Sequence, residues 1–130
     1  MNGLIERYKS FLDEGKTERE CVRRTIALAE ANGYRRLESV ESLKCGDKVY
    51  VEDYEKAIAL FHIGSEPMEK GMNILGAHID SPRLDIKMNP LYESEGLVYL
   101  DTHYYGGIKK YQWVAMPLAI HGVVVKTTRE

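Results

Sequence analysis

The sequence predicts an α/β fold in which N-terminal helices lead into a mixed β-sheet. Two observations carry this: apolar residues before position 32 recur with a helical period, and from position 48 onward they alternate or form short apolar runs separated by turn residues. The chain has 130 residues, 44% hydrophobic and 29% charged, which suits a soluble globular domain and is too short for two large ones. Lys and Arg total 18 against 20 Asp and Glu, a formal net charge of −2 with no long block of one sign. That balance gives no electrostatic footprint for nucleic acid or for an anionic membrane surface. Cys21 and Cys45 are too few for a disulfide scaffold, and the opening residues have neither the apolar core nor the cleavage site of a signal peptide. The expected setting is the cytoplasm, with both thiols reduced. No apolar run approaches the roughly 20 residues that a spanning helix requires.

Leu4, Ile5, Tyr8, Phe11 and Leu12 fall on one helical face, and Gly15 stops that helix. Thr17-Glu18-Arg19-Glu20 has the form of a capping box and starts a second helix, with Cys21, Thr25, Leu28 and Ala29 on one side and Asn32-Gly33 as its exit. A first-turn cysteine is open to activation by helix amides, but Cys21 on an apolar face reads as packed core. Residues 34–46 are polar and carry no decisive pattern. Lys48 to Glu52 alternates, with Val49 and Val51 on one face; Asp53 to Lys56 is a turn, and Ala57 to Ile63 is apolar on both faces, so a hairpin is expected to feed a central strand. Ser65 to Gly71 is a loop, and Met72 to Ile79 a second apolar run of strand length. From Arg83 the chain alternates again, with Leu84, Ile86 and Met88 opposite Arg83, Asp85 and Lys87. Asn89-Pro90 is expected to break that strand, Leu97 to Leu100 to resume it, and Val114 to Val125 to form a long apolar run ending in a strand at Val123 to Lys126. The last four residues, Thr127 to Glu130, offer no closing cap, so that strand is expected to need a partner.

The segment that carries chemistry is Gly76-Ala77-His78-Ile79-Asp80-Ser81-Pro82. Residues two apart in extended chain share a face, so an imidazole and a carboxylate at the end of an apolar strand are expected to project into one space. A neutral imidazole is a good Zn²⁺ ligand, and a nearby carboxylate commonly fixes its orientation. The same two residues also fit a hydrogen-bonded structural histidine at a strand end.

The longer run from Ile74 to Lys87, followed by Tyr105-Gly106-Gly107 and Trp113, resembles the aspartyl aminopeptidase family of cytosolic di-zinc exopeptidases. The likeness lies in Gly-Ala-His-x-Asp-Ser-Pro, in the strand that continues from it, and in Tyr-Gly-Gly before a Trp; it covers the chain but only the opening third of a complete enzyme. The resemblance implies that His78 is a metal ligand and that Asp80, the catalytic-site carboxylate, orients it. It implies two zinc ions in the complete enzyme, other divalent metals being admitted, with the remaining ligands and a general-base glutamate lying downstream of these residues. Implied too are peptide substrates, a homo-oligomer, and a partition into 1–90, the start of the catalytic domain, and 91–130, the start of an inserted β-rich dimerisation domain. Where the best-known branch has Trp-Phe-Asp-Arg-Asp-Leu, this chain has Trp113-Val114-Ala115-Met116-Pro117-Leu118, so a preference for acidic N-terminal residues does not carry over and a bacterial branch is the nearer likeness. A chain with one histidine and one orienting carboxylate cannot retain zinc usefully, so these residues alone are expected to be inactive.

His62 alternates with Ile58 and Leu60 and reads as a core or strand-end imidazole. His121 reads as structural or as a subunit contact, and His103, placed in a loop, has no assigned role. Lys109 and Lys110 read as solvated loop lysines. The competing expectation from another class is a self-contained, non-catalytic β-rich binding or assembly module, in which His78 and Asp80 only hydrogen-bond.

Overall fold

The computed structural model describes residues 2–128, so the expectation for Arg129 and Glu130 lies outside the described residues. Two compact units divide the chain, Met1–Ile79 and Asp80–Glu130.

In the first unit, helix α1 spans Asn2–Glu14 and helix α2 spans Glu18–Ala31. The capping box forms as the sequence requires: the Glu20 amide donates to the Thr17 hydroxyl at 3.3 Å, and the Thr17 amide donates to the Glu20 carboxylate at 2.9 Å. Gly33 provides the exit of α2 with φ +83°. The buried residues of α2 are Cys21, Val22 and Ala29. Leu28, expected with Cys21 and Ala29, is exposed instead, and Val22 takes the inward position. Gly15 is buried at the corner between the helices, and the position takes glycine because a Cβ there would stand 2.7 Å from the Cys21 sulfur and 3.1 Å from the Phe11 carbonyl oxygen.

A mixed three-stranded sheet follows in the order β1-β2-β3. Strand β1, Arg35–Arg36, runs parallel to β2, Lys48–Asp53, which pairs antiparallel with β3, Ala57–His62. The polar stretch after α2 thus supplies an edge strand that its composition concealed. The expected central strand is also corrected: β2 is central, with adjacent Val49 and Tyr50 both buried, so both of its faces are covered. Strand β3 is an edge and mostly exposed. Tyr54 and Glu55 form the β2–β3 turn with φ of 47° and 55°, closed by a 2.8 Å bond from the Lys56 amide to the Asp53 carbonyl. Two consecutive left-handed residues match the twist of a tight hairpin, but here neither is glycine.

Residues 71–82 carry no regular secondary structure, which corrects the strand expected at Met72 to Ile79. A strand exists only where another backbone pairs with it, and among the described residues no strand runs beside this segment.

The second unit is built on a two-stranded antiparallel ribbon, β4 (Arg83–Ser94) with β5 (Leu97–Tyr105). Asn89-Pro90 does not end β4. The register shifts between Ile86 and Leu91, and Pro90 sits in that irregular stretch, where no ladder bond is needed from a proline. His103 lies within β5, opposite Asp85, not in a loop. A short helix α3, Lys110–Trp113, follows, and the lysine expected to be merely solvated places its ammonium 4.3 Å from the centre of the Tyr104 ring. The apolar stretch from Val114, with the expected strand at Val123 to Lys126, has no regular structure as far as residue 128, again with no pairing strand among the described residues.

Candidate metal corner

His78 and Asp80 fall on either side of the division between the two units. His78 is an exposed residue within the irregular segment 71–82. The expected placement at a strand end is therefore not what forms; the residue lies on a segment positioned by side-chain anchors. One of these comes from α2. The one proton of the buried Cys21 thiol is shared between the Gly15 carbonyl at 3.4 Å and the Ile79 carbonyl at 3.7 Å, a weak tie between α2 and the backbone next to His78. Burial pushes the Cys21 thiol pKa up, reinforced by the carboxylates of Glu20 and Glu18, so Cys21 is a neutral packing group and not a nucleophile.

Asp80 is half-buried, and its carboxylate accepts a 2.8 Å hydrogen bond from the Tyr105 hydroxyl. Arg83 stands directly across the ladder from Tyr105, with its guanidinium carbon 4.2 Å from the ring centre, while its Nε donates to Asp85 at 2.7 Å. Beyond Tyr105 the chain turns at Gly106, where φ is +74° and a Cβ would meet the Pro82 Cα at 3.4 Å. Glycine is required there for the left-handed backbone and close approach together. The sequence pointed to His78 and Asp80; it gave no sign of Cys21, Arg83 or Tyr105 as their supports.

His62 ends β3, exposed and opposite Lys48. His121 is exposed, and the His103 Nδ1 lies 3.3 Å from the Tyr104 carbonyl oxygen. Among the described residues no group of three or more His, Cys, Asp or Glu side chains converges as a metal site. An imidazole, as on His78, and a carboxylate, as on Asp80, are donor types that zinc takes, but two donors do not make a whole zinc site.

Comparison with known proteins places these features in a larger frame. A family model described as "Aminopeptidase I zinc metalloprotease (M18)" matches residues 11–130. A protein of Clostridium acetobutylicum named "Probable M18 family aminopeptidase 1" is 59% identical over 127 residues, covering 95% of this chain and 27% of that protein. One of Thermotoga maritima with the same name is 43% identical over 126 residues, covering 97% of this chain and 28% of that protein. Among solved structures, aminopeptidase I of Borrelia burgdorferi superposes with a TM-score of 0.81 at 39% identity, covering 89% of this chain and 30% of that one. The M18 family aminopeptidase of Thermotoga maritima superposes with a TM-score of 0.82 at 40% identity, covering 89% of this chain and 26% of that one. The chain therefore spans about a quarter of the length of the curated relatives it matches.

Proposed function

Since this chain belongs to the M18 family of zinc metalloproteases, we propose that it is the N-terminal part of a zinc-dependent aminopeptidase that removes N-terminal amino acids from peptides. The observation that carries this reading is the family match across residues 11–130 together with 59% identity to a relative named as an aminopeptidase. The non-catalytic module has no comparable support.

In this reading His78 is one protein ligand of zinc and Asp80 is the carboxylate that orients it, in a site of two ions completed by residues beyond the chain. Zinc, when bound, lowers the pKa of a water molecule and polarises the scissile carbonyl. This chain's own residues contribute binding and orientation: the exposed imidazole donates a nitrogen, and the Asp80 carboxylate is kept in place by Tyr105. The partition into 1–90, a catalytic-domain start, and 91–130, an inserted dimerisation-domain start, belongs to the same reading. So does assembly into a homo-oligomer, supported by the apolar side chains that β4 and β5 leave exposed, such as Leu91, Leu97 and Val98. A cytoplasmic setting is supported by the two free cysteines; no helix among the described residues is long and apolar enough to cross a membrane.

The test is hydrolysis of a panel of aminoacyl anilides by the complete polypeptide that contains these residues and by residues 1–130 alone. The complete polypeptide is expected to turn over substrate, to lose activity to a chelator and to regain it with Zn²⁺, Co²⁺ or Mn²⁺. Residues 1–130 are expected to be silent with every metal. Metal-dependent turnover by residues 1–130, or none by the complete polypeptide, overturns the reading.

A further inference from the structure

The polar face of the β4–β5 ribbon is a ladder of matched pairs. Arg83 faces Tyr105, Asp85 faces His103, and Lys87 reaches Asp101 at 2.9 Å. At the open end of this ladder the Tyr105 hydroxyl extends past the last pair to the Asp80 carboxylate, 25 residues away in sequence, at 2.8 Å. The Tyr105 ring is not free to swing, because the Arg83 guanidinium covers one of its faces and is itself held by Asp85. Order thus passes from Asp85 through Arg83 and Tyr105 to Asp80. A bond from a hydroxyl to one oxygen of a carboxylate fixes the plane of that group, and the outer partners of metal-binding histidines and carboxylates commonly govern affinity in this way.

We propose that Tyr105 is a positioning residue for the zinc site: its hydroxyl, braced by Arg83 across the β4–β5 pair, holds the Asp80 carboxylate in one orientation and so raises the affinity of the complete site for zinc. This rests on the assignment of His78 and Asp80 given above. Tyr105 acts through Asp80, so its effect vanishes when Asp80 is gone; a residue that merely keeps the ribbon folded exerts its effect either way.

The experiment is a double-mutant cycle on the complete polypeptide, reading Zn²⁺ affinity by competition with a chromophoric chelator. Tyr105→Phe keeps the ring under Arg83 and removes only the hydroxyl. It is expected to weaken zinc binding by about 10- to 100-fold, and to leave binding unchanged in an Asp80→Ala background. Tyr104→Phe, which removes a hydroxyl from the next residue on the opposite face of β5, is expected to change nothing. Equal losses from Tyr105→Phe with and without Asp80, including a loss caused by misfolding, overturn the proposal, as does unchanged affinity in Tyr105→Phe. His78→Ala separates the two levels. If it weakens binding while Tyr105→Phe leaves affinity unchanged, the positioning role falls and the zinc reading stands; if His78→Ala binds zinc as tightly as the parent, both fall.

Discussion

The side chains buried among the described residues, Cys21, Val22, Ala29, Val49 and Tyr50, all belong to the unit Met1–Ile79, whereas the β4–β5 ribbon of the second unit buries none. Two helices and a three-stranded sheet can enclose apolar side chains; a two-stranded ribbon has two open faces and is marginal by itself in water. The turns differ as well. The β2–β3 hairpin puts Tyr54 and Glu55 in the left-handed region without glycine, whereas the β4–β5 hairpin uses Glu95 and Gly96 there. The strain at Glu55 comes with a return, since its carboxylate meets Arg23 at 2.9 Å and Arg19 at 3.7 Å on α2. The first unit thus has its own core and its own internal ties; the second leaves its apolar side chains exposed.

Cutting the same side chain in both units should have very different effects. Val49→Ala deletes two buried methyl groups and leaves a cavity, and is expected to lower stability by about 2–3 kcal/mol. Val98→Ala, at an exposed site in β5, is expected to stay within about 0.5 kcal/mol of the parent. Urea unfolding of residues 1–130 followed by circular dichroism checks both, and equal losses would refute the contrast. Next in size is Thr17→Ala, which removes the acceptor of the α2 capping box and is expected to cost about 1 kcal/mol by the same measurement. Tyr54→Asn is expected to raise stability by about 0.5–1 kcal/mol, because asparagine tolerates the left-handed region better than tyrosine and the exposed ring loses no packing.

Burial raises the Cys21 pKa, so the folded protein keeps that thiol proton to higher pH than the unfolded chain does. The stability this contributes is complete below the ordinary thiol range and is lost as pH climbs through the folded-state value. The melting temperature is expected to fall more steeply in mildly alkaline buffer for the parent than for Cys21→Ala. Iodoacetamide at about pH 8 is expected to modify exposed Cys45 well before buried Cys21.

What the sequence made legible was local. The Thr17–Glu20 box, the Gly33 exit and the β2–β3 hairpin are specified by residues within a few positions of one another, and each stands where its pattern puts it. The misreadings came where pairing decides. An apolar run such as Met72 to Ile79 becomes a strand only beside another strand, and composition cannot say whether one is present. Pro90 looked like a break because the register shift that accommodates it belongs to the pair of strands, not to either one. The candidate site divided in the same manner. His78 and Asp80 were legible as a short motif, while Tyr105 acquires its place beside Asp80 only through the register that sets Arg83 opposite it.

Membership in a zinc peptidase family would give this chain one metal-binding imidazole, at position 78. Zinc content per chain after exhaustive dialysis, measured by elemental analysis for the complete polypeptide and its single histidine-to-alanine variants, tests it most directly. His78→Ala is expected to hold less zinc than the parent, while His62→Ala, His103→Ala and His121→Ala are expected to hold the same amount. A His78→Ala protein with undiminished zinc would contradict it.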